Sequence, residues 1–184
     1  MLIKPLAKGI FCGGSVLRAL RISLVFFLCL GLAGCRTYIH GIDELKEKAG
    51  KEIPVSYSDT VELKYAGMYT IDNRAIAWFI SGNDSQEHYY LPMEIEIKGS
   101  GDEFTYIHTY KPITERCTDT AAVIWKGGYV FLINNPKAAA VQITSVDGEI
   151  TREEVKDDSI PYLFYVSPIP AEYVFLDAAG NEIR

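Results

Sequence analysis

The side chains best suited to chemistry in this 184-residue chain are three histidines, several paired acids and one thiol far from the N-terminus. His40, His88 and His108 are widely spaced, and none stands in an H-E-x-x-H or Cys/His arrangement that would bring zinc ligands together. His40 reads as solvated and His88 as the start of a strand before Tyr89 and Tyr90. His108 reads as a packed or half-buried member of an aromatic stripe. Glu94/Glu96, Glu153/Glu154 and Asp157/Asp158 have the chemistry of a general acid and base. Alternating or adjacent acids on strands usually form a solvated face, and they are read that way here. The stretch from Ser81 to Ser85 carries oxygen ligands but lacks the full calcium loop, so it reads as a polar turn. Gly99-Ser100-Gly101 reads as a hairpin turn and not a nucleophile elbow; no P-loop or dinucleotide fingerprint occurs. Cys117 reads as a small buried hydrophobe, a reactive thiol or intermolecular bridge being the sharper alternative; no basic cluster or paired histidine is evident to lower its pKa. No residue is assigned a catalytic, metal-binding or cofactor-binding role, no cofactor is expected, and the expectation is a protein that is not an enzyme.

The elements that would carry these residues are mostly strands. From Val55 onward Tyr, Phe, Val and Ile are abundant, and Gly, Asn, Asp and Pro clusters interrupt the apolar runs at short intervals. Met93, Ile95 and Ile97 alternate with Glu94, Glu96 and Lys98, and Phe104, Tyr106 and His108 alternate in the same way. Setting Lys98 opposite Glu103 pairs Ile97 with Phe104, Ile95 with Tyr106 and Met93 with His108; a slip of one residue would turn both glutamates onto the apolar side. A second hairpin, residues 121–125 and 129–133 about a turn at Gly127-Gly128, is apolar on both faces and suggests a central place with both faces covered. A third hairpin closes at Asp147-Gly148. Pro161, Pro168 and Pro170 bracket residues 162–166, which reads as an edge strand or a short isolated one. Before these strands, residues 42–49 have helical spacing with Gly50 as a stop, and the helix either packs on the domain or stays mobile. Trp78, Tyr89, Tyr90, Tyr106, Tyr110, Trp125, Tyr129, Tyr162 and Tyr165 divide between core and a binding face. The expected fold is mainly β: an antiparallel β-sandwich or curved sheet built of hairpins, with a short N-terminal helix.

The N-terminal segment has a different character. Lys4, Lys8, Arg18 and Arg21 precede an apolar run from Ile22, and no acid occurs before Asp43. A basic region, a short apolar region and small residues form a secretory signal pattern. The uncharged run from Ile22 to Gly34 falls short of the roughly 20 residues that a membrane span requires. Leu32-Ala33-Gly34-Cys35 resembles the lipobox of bacterial lipoproteins in all four positions. The resemblance implies that Cys35 receives a diacylglyceryl group, that cleavage follows Gly34, and that the new amine is acylated. Arg36 after the cysteine, rather than the aspartate of an inner-membrane retention signal, implies the outer membrane with the domain facing the periplasm. The expected organisation is a cleaved signal peptide at 1–34, a lipidated tether with the short helix at 35–54, and a single β-rich domain at 55–184.

Loss of the four leader cations leaves 14 Lys and Arg against 24 Asp and Glu, a net charge of about −10 for the mature chain. Such a chain is a poor binder of nucleic acid, which requires clustered cations. The partners expected are the membrane, through the lipid on Cys35, and a protein. Three functions fit: a non-enzymatic binding protein of the envelope, a periplasmic immunity-type inhibitor of a delivered toxic effector, and a hydrolase of envelope polymers with an unrecognised site. The first is the reading adopted.

Overall fold

A computed structural model describes residues 38–53, 62–81, 89–99, 101–115, 118–156 and 160–183. The expectations placed on the leader, Cys35, His88, Cys117, Asp157, Asp158 and residues 82–85 lie outside these. The described chain is antiparallel β with one helix. Its elements are β1 (Ile39–His40), α1 (Gly41–Glu52), β2 (Leu63–Ile71), β3 (Arg74–Ser81), β4 (Tyr89–Lys98), β5 (Glu103–Thr109), β6 (Ile113–Glu115), β7 (Thr120–Trp125), β8 (Gly128–Ile133), β9 (Ala140–Thr144), β10 (Ile150–Glu154), β11 (Tyr162–Val166) and β12 (Glu172–Leu176).

Three sheets form, in the orders β1-β5-β4-β3-β2, β11-β8-β7-β6 and β10-β9-β12. Side chains of a strand alternate between faces, and that alternation sorts the apolar residues into three cores. Ala75, Ala77 and Phe79 of β3 join Leu45 and Ala49 of α1. Ile76, Trp78 and Ile80 of the same strand join Val123, Trp125, Val130 and Leu132 of the second sheet. Phe131 and Ile133 of β8 turn the other way, onto Val141, Ile143 and Phe175 of the third sheet. The layers are therefore helix, first sheet, second sheet and third sheet, with β3 and β8 shared between successive cores. Burying a side chain such as Phe79 or Leu132 contributes about 1.5–3 kcal/mol.

The apolar hairpin β7–β8 is covered on both faces, as its composition implies. Its turn lies one residue earlier than expected. Trp125 pairs with Gly128, and Lys126 and Gly127 occupy the turn with φ of 45° and 78°. Gly128 is the first residue of β8, and it is glycine because a Cβ there would lie 2.1 Å from the Val166 carbonyl oxygen. A similar two-residue turn, Asp72-Asn73, joins β2 to β3, with Asp72 at φ 57°. Asp tolerates that conformation because its short side chain bonds locally.

α1 is docked on the first sheet, with Leu45 and Ala49 fully buried. Glu44 reaches back to accept the His40 backbone N–H at 2.7 Å, and the Lys48 ammonium sits 4.3 Å above the Tyr106 ring. Ile39 pairs with Phe104 as the edge strand of the first sheet. Residues 39–53 are thus part of the packed body. β11 is the edge strand of the second sheet.

Candidate functional site

The register of β4 against β5 decides where the acids go. Lys98 faces Glu103, Ile97 faces Phe104 and Ile95 faces Tyr106, as the alternation requires. A bulge then leaves Ile107 unpaired, so Met93 meets Thr109 and Glu94 meets His108. This corrects the placement of His108. The extra residue moves it out of the aromatic stripe on the α1 side, and it is exposed, its ring edge-on to Tyr110 at 4.8 Å. The bulge also brings the Tyr110 backbone N–H to the Pro92 carbonyl and its side chain beside Glu94.

Glu94 is buried, with 5 % of its surface exposed, and it is the one buried charged residue among the described residues. This corrects its reading as solvated. Alternation puts Glu94 on the face opposite Met93 and Ile95, and the second sheet covers that face. Its Oε1 accepts bonds from Arg74 Nε (3.1 Å), Arg74 Nη2 (2.7 Å) and Trp125 Nε1 (2.7 Å). Its Oε2 accepts the Tyr110 hydroxyl at 2.7 Å. Burial by itself disfavours the carboxylate. The bonds from Trp125 and Tyr110 and the Arg74 charge outweigh it and hold Glu94 below the ordinary glutamate value. Burial, the bond to Glu94 and the negative charge push the Tyr110 phenol up to about 12.

Chemically this cluster is a closed clasp. An ionised Glu94 has no proton to donate, its oxygens are already engaged, and Tyr110 keeps its proton at neutral pH. Arg74 on β3, Glu94 on β4 and Trp125 on β7 join the first sheet to the second. A second clasp joins the same sheets: the Tyr90 hydroxyl bonds to Asp119, and Asn134 donates to the other Asp119 oxygen at 3.1 Å. Burial first, then the Asp119 contact, raises the Tyr90 phenol strongly. Asp119 takes φ 50° in the turn before β7.

The other acids behave as a solvated face. Glu96 pairs with Lys98 and accepts Asn73 Nδ2. Exposed Glu153 accepts the Tyr162 hydroxyl and exposed Glu154 pairs with Arg152. His40 is exposed, its Nδ1 3.8 Å from Glu103, in β1. Among the described residues no three His, Cys, Asp or Glu side chains converge as a metal site would require. Arg74 and Asp119 were not singled out in the sequence, and Tyr110 only as one of the aromatics divided between core and binding face. The available signal was one cationic residue opening the otherwise apolar run of β3, and an acid next to a pair of threonines.

No protein-family model, curated protein or solved structure matches the chain.

Proposed function

We propose that this chain is a lipid-anchored protein of the bacterial envelope, held at the outer membrane with its body in the periplasm, and that the body binds another protein rather than catalysing a reaction. The anchor rests on Leu32-Ala33-Gly34-Cys35. The binding role rests on one observation, the β9–β10 hairpin. β10 is an edge strand with all five residues exposed, and among the described residues its outer backbone groups have no partner strand. Val146 and Ile150 flank the hairpin loop at 79 % and 63 % exposure. Two exposed apolar side chains on an open strand edge offer a partner both backbone pairing and apolar contact. Asp147, Glu149, Glu153 and Glu154 surround them and select for basic partners over a second copy of the same edge. The engagement of both Glu94 oxygens supports a binding role over a hydrolytic one, because a general acid or base must be able to exchange a proton.

The test is a photo-crosslinking residue at Val146 or Ile150 in the full chain, expressed in a Gram-negative bacterium. A discrete protein adduct that disappears on reversing Glu153 and Glu154 to lysine is the expected result. Absence of any adduct from an envelope in which the chain is lipidated defeats the binding role. The acidic hairpin also favours the immunity-type reading, and a basic toxic effector as the trapped partner would select it.

A further inference from the structure

The anchor and the fold together set which part of the body meets the membrane. Ile39 is already paired in the first sheet, and it lies four residues after Cys35. Four residues reach at most about 14 Å even when fully extended. Such a leash leaves the body little choice of orientation, since the lipidated sulfur must sit at the headgroups. Beside Ile39, α1 covers one face of the first sheet, and the other face presents the exposed His40–Glu103 pair next to Glu96 and Lys98, a charged surface with nothing apolar to enter a lipid layer. What remains is the β1–β5 edge and the turn at its lower end.

These two candidates differ in chemistry. The turn and the helix start beside it carry Asp102, Glu103, Asp43 and Glu44. An anionic headgroup layer repels such a surface. The edge carries Tyr38 at 46 % exposure and Ile107 at 38 %, with exposed His40 and His108. β1 runs antiparallel to β5, so its N-terminal end points toward Ile107, about 10 Å along the strand from Phe104. An exposed tyrosine beside an exposed isoleucine has the amphipathic character favoured at a membrane–water boundary. The opposite end of the strands, near Tyr89, is eight residues of β4 beyond the Ile97–Phe104 pair, about 27 Å further along than Ile39 and beyond the leash.

We propose that the β1–β5 edge of the first sheet rests on the lipid surface, with Tyr38, Ile107 and His108 at headgroup level and the strands lying along the membrane. This rests on the lipobox reading of Cys35. The occupant of the edge is the bilayer that holds the anchor. β2, the opposite edge of the same sheet, lies four strand spacings from β1, about 19 Å measured across the sheet. Membrane affinity of the edge itself need only be weak, because the covalent leash raises its effective concentration at the surface.

The experiment uses the full chain made in a Gram-negative host, purified with its lipid and placed in vesicles of phosphatidylethanolamine with a minority of phosphatidylglycerol. Hydroxyl-radical footprinting read by mass spectrometry compares Tyr38 with Tyr65 of β2, which is 37 % exposed. The comparison is the same chain with a flexible insert of about ten Gly and Ser residues between Arg36 and Thr37, long enough to release the body. The expected result is a several-fold fall in Tyr38 oxidation, relative to Tyr65, in the native chain only. Equal Tyr38 oxidation in the two chains, or protection of Tyr65 or Tyr89 instead, overturns the proposal. Intact mass separates the two readings. Acyl mass on Cys35 with Tyr38 open removes this proposal alone, whereas absence of acyl mass removes the anchor and this proposal with it.

Discussion

At the scale of single residues, Glu94 and Glu96 look alike in the sequence and differ in fate. Glu94 accepts bonds from three side chains in the interior, and Glu96 forms an ion pair at the surface. Glu94→Ala leaves buried Trp125 Nε1 without its acceptor and removes the partner of Arg74 and Tyr110, and is expected to cost about 3 kcal/mol in urea unfolding. Glu96→Ala, two residues away, should cost about 0.5 kcal/mol or less. The shifts also set a pH dependence. Glu94 is held below its ordinary value of 4.5, so it contributes stability above that pH and loses it as the pH falls further. Glu94→Gln should flatten the acid limb of a stability–pH curve. Tyr110 is shifted the other way, from 10.0 to about 12, so its contribution is complete below 10.0 and fades as the pH rises toward 12. Tyr110→Phe should reduce the alkaline loss of stability in that window, and an unchanged slope would contradict the clasp.

At the scale of elements, α1 and the β8–β11 pairing carry the sharpest expectations. Leu45 is fully buried against the first sheet, so Leu45→Ala should destabilise by about 2–5 kcal/mol. A helix that belonged to a loose tether would show almost no change in the same urea titration. Gly128→Ala forces a methyl into the Val166 carbonyl and the Tyr165 ring, displacing β11 from β8. It should cost at least about 2 kcal/mol. Gly148→Ala, at φ 86° with open space around it, serves as a comparison, and its cost should stay near about 1 kcal/mol. Much of this scale was legible beforehand. The hairpins at Gly99–Asp102, Gly127 and Asp147–Gly148 and the first half of the β4–β5 register follow from alternation and turn residues. The bulge at Ile107 was not legible: Ile107 stood out as the apolar exception on the otherwise charged face of the hairpin, but alternation alone does not say that the strand bulges there.

At the scale of the whole molecule, shared strands couple the layers. β3 contributes to the first two cores and β8 to the last two, so no sheet can leave without exposing another's interior. The described body should unfold in one step. Trp78 and Trp125 both lie in the core between the first and second sheets and report it by fluorescence, while far-ultraviolet circular dichroism reports all three sheets. Coincident urea curves are expected; separate midpoints would show that the third sheet unfolds independently. In cells, Cys35→Ser should leave an uncleaved precursor, and normal cleavage and membrane fractionation after that change would defeat the lipobox reading.

The sequence by itself determined the β-rich character, the main hairpin turns and the strand pair apolar on both faces, because these depend on a two-residue period and on turn chemistry that act over a few neighbours. Only the tertiary structure decided the fate of the polar residues. Alternation says that Glu94 faces away from Met93 and Ile95, but not whether water or a second sheet lies on that side. Here a second sheet does, and its Trp125 joins Arg74 of β3 and Tyr110 after β5 to turn a surface-type glutamate into an interior clasp. The packing of Ile39 and Phe104 under α1 likewise ties residue 39 into the body, which makes a leash of four residues after Cys35 a constraint on orientation.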